Sequence, residues 1–274
     1  MPILPMKKSL LTAVCFVLTL VPTASRAAVY LNEDFSTYAD GALVGQNGWT
    51  QYSAATTNPI QISGGKLVMA GNTVDNQDAQ KALTFTHSAG TTLYFGFQME
   101  VTGPGVNGAG FTSSYFTGLF DGSFVNTRVG FLNIDGSTYQ VSARINGQGS
   151  NPFTSASDVL SFNTDPVTII LGFTYGDGGS VADTLNLWVN PTSLSDPADL
   201  SLTNAGTAIS SNVTALVLSQ YSFSSDTTIN KLAVADTFSE TFSVVAVPEP
   251  GIMSLLAIGA GVGLTVWRRR RAQA

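Results

Sequence analysis

Period-two alternation, broken by glycine-rich turns, constrains this chain more than any other feature. In "TLYFGFQME" (residues 92–100), Leu93, Phe95, Phe97 and Met99 share one face, and Tyr94, Gly96, Gln98 and Glu100 share the other. In "TYQVSARIN" (138–146), Tyr139, Val141, Ala143 and Ile145 oppose Gln140, Ser142 and Arg144. "TLNLWVN" (184–190) sets Leu185, Leu187 and Val189 against Asn186, Trp188 and Asn190. Successive side chains of a strand point to opposite faces, so each segment reads as a half-buried strand. "VTIILGFTY" (167–175) has a longer apolar run, which predicts a strand buried on both faces. Further strands are expected over 29–35, 66–70, 115–120, 128–134, 214–221 and 229–235. Turn signals separate them: Ser63-Gly64-Gly65, Gly103-Pro104-Gly105, Asp135-Gly136, Asn146-Gly147 and Asp177-Gly178-Gly179. Neither a long amphipathic helix nor a fixed-period repeat interrupts this pattern. About a dozen short strands with such turns predict an all-β, two-sheet sandwich. We place it at residues 28–240, followed by a linker at 241–247.

The two ends differ from this middle. Lys7 and Lys8 precede an apolar run over 10–21, and Ser25-Arg26-Ala27 follows. That is the layout of a signal peptide at 1–27, with an apolar signal helix and cleavage after Ala27 by signal peptidase. Cys15, the sole cysteine, lies inside the apolar run. The exported chain then has no disulfide, thiolate nucleophile or cysteine metal site. The other end reads "VPEPGIMSLLAIGAGVGLTVWRRRRAQA". Residues 252–267 carry no charge and predict a transmembrane helix of about 24 Å, short of the roughly 30 Å hydrocarbon core. Arg268, Arg269, Arg270 and Arg271 would lie on the cytoplasmic side. Their long stems can snorkel, which makes a short span tolerable. Gly259 and Gly263 form a GxxxG pair, a pattern too common in apolar segments to identify a dimer face.

Charge follows the same division. Between residues 28 and 246 the basic side chains are Lys66, Lys81, Arg128, Arg144 and Lys231, against seventeen carboxylates. The formal charge there is about −12, and the basic ends bring the whole chain to −6. An acidic, lysine-poor domain excludes nucleic acid as a partner, because phosphate binding needs a basic patch.

A Pro-Glu-Pro triplet, a short apolar helix and an arginine cluster, in that order, resemble the PEP-CTERM sorting tail of Gram-negative bacteria. The resemblance covers residues 247–271, with the sorting tail proper at 248–271, and implies recognition by an exosortase, a membrane-embedded transpeptidase-like enzyme. Cleavage would fall near Pro248, Glu249 and Pro250. The protein would be held transiently in the inner membrane, then delivered to the cell surface or extracellular matrix. The middle resembles a second family, the concanavalin A-like jelly roll in its laminin-G-like form. "NEDFSTYADGALVGQNGW" (32–49) is similar to its opening, "DTLNLWVNP" (183–191) to a late strand and "INKLAVADTF" (229–238) to its closing strand. That resemblance implies a two-sheet fold with a carbohydrate-facing concave side, and no particular activity.

Catalytic constellations are sparse. Retaining glycosidases need two carboxyls about 5 Å apart, as in a Glu-x-Asp-x-x-Glu strand. Glu33, Glu100 and Glu240 are the glutamates of the middle region, and none has a carboxylate at i+2 or i+4. The single histidine, His87, closes a candidate strand and reads as a surface residue rather than a triad base. One histidine without cysteine also argues against zinc. Asp177 and Asp183, and separately Asp75, Asn76 and Asp78, are acidic loops that offer calcium some oxygens; neither has EF-hand spacing, and no cofactor is expected. Residues 103–110 lack the Lys-Ser/Thr ending of a phosphate loop.

Tyr94, Gln98, Glu100, Arg144 and Trp188 lie on the polar faces of their strands and form the candidate glycan-binding set. Amides, a charge pair and flat rings are what sugar recognition uses. The opposing reading covers Trp188 with a loop or the facing sheet, because large aromatics are mostly buried. Trp49 reads as a core plug. The expected function is a non-enzymatic exported protein of the cell surface or matrix, with a structural or adhesive role. The alternatives are a lectin-like module for extracellular polysaccharide, and a divergent glycoside hydrolase or polysaccharide lyase.

Overall fold

The described residues fold as two antiparallel sheets packed face to face, with one short helix on the outside. The computed structural model describes residues 27–70, 76–103, 115–122, 125–145, 153–163, 165–177, 181–204, 213–220 and 226–246. In chain order the first strands are β1 (Val29–Glu33), β2 (Gly41–Ala42), β3 (Trp49–Gln51), β4 (Gln61–Ser63), β5 (Lys66–Met69) and β6 (Ala79–Ala82). Then come β7 (Thr92–Val101), β8 (Thr117–Phe120), β9 (Val125–Asn133), β10 (Thr138–Ile145), β11 (Thr154–Ser155) and β12 (Leu160–Ser161). The last are β13 (Val167–Thr174), β14 (Thr184–Val189), β15 (Leu200–Thr203), β16 (Ala215–Leu218) and β17 (Thr227–Ala235), followed by α1 (Phe238–Val245).

Sheet A runs β15-β14-β13-β7-β17-β5-β4-β2, with β1 also on β17. Sheet B runs β11-β10-β9-β8-β16-β6-β3, with β12 also on β10. The alternation read from the sequence decides which side chains meet between them. Leu93, Phe95, Phe97 and Met99 of β7 and Tyr139, Val141 and Ala143 of β10 all lie in one core. An aromatic chain crosses the sandwich. Phe97 meets Phe116 at 5.4 Å, Phe116 stacks on Phe131 at 5.0 Å, and Tyr139 continues to Phe162 at 4.9 Å. Each such ring contributes about 1.5–3 kcal/mol by burial.

Trp49 is the core plug expected of it, at 1% exposure. Its indole N–H donates to the Tyr38 hydroxyl (3.2 Å), which donates to Glu33 (2.6 Å). Lys81 closes the group with a 3.2 Å ion pair to Glu33. This ties β1 of sheet A to β6 of sheet B at one edge. Burial and the Glu33 hydrogen bond push the Tyr38 phenol up to about 12.

The closing segment departs from expectation. Residues 238–245 form α1, so the boundary set at 240 and the linker at 241–247 fall within or beside a helix that belongs to the domain. The reason is local. Thr237 is the N-cap, and its hydroxyl accepts from the Glu240 amide at 3.3 Å. Thr-x-x-Glu is a capping-box pattern, and Glu240 lies at the positive end of the helix dipole. The helix then buries Thr241 and Val245 on sheet A.

Among the described residues no helix is long and apolar enough to cross a membrane. The expected signal helix before Ala27, the transmembrane segment 252–267, and the sorting residues Pro248, Glu249, Pro250 and Arg268 to Arg271 lie outside the described residues.

Candidate functional site

The outer face of sheet A carries three members of the expected glycan set, and α1 covers them. Gly96 makes the helix's close approach feasible: a Cβ there would lie 2.7 Å from Thr241 Cγ2 and 3.0 Å from Val245 Cγ2. Ile170 and Ala233, beside Gly96 on the neighbouring strands, complete an apolar bed for Val245. Phe238 packs at 4.8 Å from Trp188 and 5.9 Å from Tyr94. Gln98 is buried, and its amide donates to the Val245 carbonyl at 3.4 Å, as does the Thr168 hydroxyl at 3.4 Å. Two polar side chains of the sheet thus satisfy a carbonyl that the helix end leaves without an intrahelical partner.

Trp188 is half-buried for the same reason. A loop finishes its cover: the indole N–H donates to the Asp196 carbonyl at 3.0 Å. The Asp196 carboxylate in turn collects the Thr192 and Ser193 amides and the Ser193 hydroxyl, at 2.5, 3.1 and 2.6 Å. These donors, the Ser193 hydroxyl foremost, hold its carboxyl down at about 2. Glu100 lies past the helix, in a 3.3 Å ion pair with Lys66 and a 3.2 Å hydrogen bond from Asn230. The strip of alternating polar residues on β7 and β14 is therefore a packing surface for α1 and its neighbouring loop.

Arg144 lies on the other sheet. The five residues of the expected set are not brought together, because alternation assigns a residue to a face of its own strand but says nothing of which sheet that strand joins. On β10, Tyr139, Val141 and Ala143 fill the core, so Gln140, Ser142 and Arg144 face outward. Arg144 stands directly opposite Arg128 of β9. Arg128 lies 4.7 Å over the Tyr115 ring, and Arg144 lies 5.1 Å over the Phe153 ring. The Arg128 Nε–H donates to the Val125 carbonyl at 3.3 Å. The Arg144 Nε is buried and has no hydrogen-bond partner. Burial, then the facing Arg128 charge, lower the Arg144 pKa. The floor around the pair is already satisfied: Gln140 donates to the Ala156 carbonyl (2.9 Å) and Ser142 to the Gly130 carbonyl (3.1 Å).

This face extends across sheet B to Tyr52, whose ring meets Phe120 edge-on at 5.1 Å. Burial raises the Tyr52 phenol, the Arg128 charge opposes that, and Asp78 and Asp121 add to it. The Tyr115 phenol is pushed up to about 12, mainly by burial. Arg128, Tyr115, Tyr52 and Asp78 therefore lie close enough to influence one another electrostatically. Arg128, Tyr115 and Tyr52 were not singled out in the sequence. The Asp135-Gly136 turn was the signal available for Arg128: a hairpin centred on Gly136 places 128 opposite 144.

The remaining candidates have structural partners. Asp78 accepts the Gln220 amide at 2.9 Å, and the Asn76 amide donates to the Gln220 carbonyl at 3.2 Å. Asp183 accepts the Gly176 amide and Asp177 the Val181 amide, both at 2.7 Å. Asp75 lies outside the described residues. Among the described residues no three His, Cys, Asp or Glu side chains gather closely enough to hold a metal ion. His87 stacks on Tyr175 at 3.8 Å. Near Ala27, a surface hollow of about 520 Å³ opens between Thr91, Tyr94, Asp236 and Phe238. There the Ala28 amide donates to the Asp236 carboxylate at 3.0 Å, and the Asp236 amide to the Ala28 carbonyl at 3.1 Å.

Two packed antiparallel sheets of this order fit a jelly roll, and a solved structure shares the fold. The alginate lyase Aly36B, a double variant in complex with an alginate trisaccharide, matches with a TM-score of 0.52. Identity is 13%, over 76% of this chain and 98% of that one. The globular domain of T. cruzi calreticulin gives a TM-score of 0.44 at 13% identity, over 80% and 92%. The Emp47p carbohydrate recognition domain gives 0.43 at 14%, over 78% and 98%. Likeness at this identity concerns the fold alone. No curated protein matches the chain in sequence.

The particular feature is at the end of the chain. Residues 246–271 match the family model of the PEP-CTERM protein-sorting motif. The chain thus carries an export and sorting signal that implies processing by an exosortase and a membrane-anchored, then surface, fate. The match begins at Ala246, directly after the last residue of α1.

Proposed function

We propose that this is a non-enzymatic surface protein of a Gram-negative bacterium whose jelly roll binds extracellular polysaccharide through the outer face of sheet B. Signal peptidase removes residues 1–27, and an exosortase cuts near Pro248-Glu249-Pro250, releasing the domain from the inner membrane to the surface or matrix. The observation that carries the binding reading is the set of flat rings and forked donors on that face. Tyr115 lies against Arg128 on the side of sheet B away from the core, Tyr52 extends that face at Phe120, and the Phe153 ring against Arg144 is itself buried. Rings stack on sugar faces, and guanidinium N–H groups donate to ring oxygens and substituents.

The same residues support a binding role over catalysis. A phenol held at about 12 is a poor base near neutral pH, so Tyr115 suits stacking better than proton abstraction. Glu33 is committed to Lys81 and Tyr38, and Glu100 to Lys66 and Asn230.

The test is a polysaccharide array probed with the processed protein recovered from cells. Wild type should bind at least one extracellular polysaccharide without depolymerising it, and Tyr115→Ala should lose about tenfold or more in affinity. Failure to bind any polymer would remove the reading. Deleting Pro248, Glu249 and Pro250 should leave the protein in the membrane fraction; unchanged release would overturn the sorting claim.

A further inference from the structure

The exported region has few positive charges, and their disposition is uneven. Lys66 is paired with Glu100, and Lys81 with Glu33. Arg128 and Arg144, the two arginines between residues 28 and 246, face each other across one rung of the β9–β10 ladder. Directly opposed like charges destabilise a sheet. Seventeen carboxylates were available in this region to relieve that repulsion, yet no described carboxylate pairs with either arginine. Instead each guanidinium lies against an aromatic ring, Tyr115 or Phe153. A ring steadies a planar cation without consuming its N–H groups. The Nε of Arg144 remains buried and unpaired. A buried donor without a partner is costly, and a second cation beside it raises the cost. An anion bridging the terminal amino groups of the two guanidiniums would relieve the repulsion between them.

We propose that Arg128 and Arg144 form a subsite for the carboxylates of an acidic polysaccharide, a chain of uronic acid residues. This rests on the polysaccharide-binding reading and names its ligand class. The planar guanidinium fork matches the two oxygens of a carboxylate in a bidentate pair. The acidic remainder of the domain then prevents nonspecific capture of polyanions, so attraction is confined to one spot.

The experiment uses the full chain purified from membranes in detergent. Binding is titrated with polygalacturonate, with the same polymer after its carboxyls are reduced to alcohols, and with dextran sulfate. Polygalacturonate should bind, and carboxyl reduction should weaken it about tenfold to hundredfold. Arg144→Gln and Arg128→Gln should each reproduce that loss. Their melting temperatures should stay level or rise, because each removes the cross-strand repulsion; a merely structural arginine would lower it. Arg144→Lys keeps the charge and loses the fork, so it should recover only part of the affinity. If either Gln variant fails to fold, the salt dependence of wild-type binding still decides: affinity for polygalacturonate should fall steeply with ionic strength, and affinity for the reduced polymer should not. Equal binding of acidic and reduced polymers overturns the carboxylate subsite and leaves polysaccharide binding standing. Equal, arginine-dependent binding of dextran sulfate overturns the uronate assignment. Absence of binding to every polymer overturns the underlying reading, and the subsite with it.

Discussion

The two outer faces of this sandwich carry the same kinds of side chain and are used differently. On sheet A, Tyr94, Gln98 and Trp188 are covered by α1 and the Asp196 loop, and the Gln98 amide and Trp188 indole N–H bond to the cover. On sheet B, Gln140 and Ser142 bond within the sheet, while Arg128 and Arg144 retain donors that nothing described accepts fully. The difference lies in what sits beneath the polar residues. Sheet A offers Gly96, Ala233 and Ile170, a shallow apolar groove into which a helix can settle. On sheet B, β9 and β10 instead present two like charges that no short helix could cover without desolvating both. A polar strand face is therefore not evidence of an open site. The evidence is whether its donors and acceptors are already matched by the chain itself.

The sharpest break of this contrast is at Gly96. A Cβ there meets Thr241 at 2.7 Å, Val245 at 3.0 Å and Ile170 at 3.3 Å. Gly96→Ala should lift α1 and cost about 1–3 kcal/mol, the usual range for overpacking. Ala82, exposed at the outer edge of sheet B, provides the control. Ala82→Ser should change stability by less than about 0.5 kcal/mol. Urea unfolding measures both, and proteolysis of the unlifted and lifted helix reports the cause. Equal costs at the two positions would mean that α1 is not a packed part of the domain.

These contacts also explain what was legible beforehand. The strands were, because alternation over eight or nine residues is a strong signal: β7, β10, β13 and β14 lie where "TLYFGFQME", "TYQVSARI", "VTIILGFT" and "TLNLWV" put them. Burial of β13 on both faces was legible too, although its second cover proved to be the helix over Ile170 and the Tyr94 and Trp188 rings over Gly172. The helix was not, because eight residues are about two turns, too few for a period to show against neighbouring strands. Its visible trace was the Thr237–Glu240 capping pattern. The candidate site was legible residue by residue and not as an assembly. Arg144 and Trp188 were rightly placed on polar strand faces, but sheet membership depends on contacts far apart in sequence. Only the local hairpin through Gly136 could have paired Arg144 with Arg128.

A gentler probe tests the loop half of the sheet A cover. Hydrogen bonds hold the Asp196 carboxyl at about 2, below the ordinary range near 3.9. The folded state therefore takes up this proton at lower pH than the unfolded chain. The contribution to stability is complete above about pH 4 and lost as pH falls through about 2. The indole N–H resonance of Trp188, which donates to the Asp196 carbonyl, should move with a midpoint near pH 2. A Trp188 midpoint near 4 would show that the Asp196 loop does not hold the ring.

The smallest effect concerns where sheet A's covered face begins. The backbone nitrogen of Ala28 lies 3.0 Å from the Asp236 carboxylate, one residue before the cap of α1. In the unprocessed chain that nitrogen is a neutral amide. The proposed cleavage after Ala27 would turn it into an ammonium, and the hydrogen bond would become an ion pair at the edge of the hollow lined by Tyr94 and Phe238. Partly exposed pairs of this kind contribute about 0.2–1 kcal/mol. Asp236→Asn should therefore destabilise protein that starts at Ala28 by up to about 1 kcal/mol, and the uncleaved chain by less. Thermal unfolding of both forms, each with and without the substitution, isolates the difference. High salt should reduce it, because the pair is screened. Equal losses in the two forms would mean that the new terminus does not meet Asp236, and that cleavage leaves the start of the sheet unchanged.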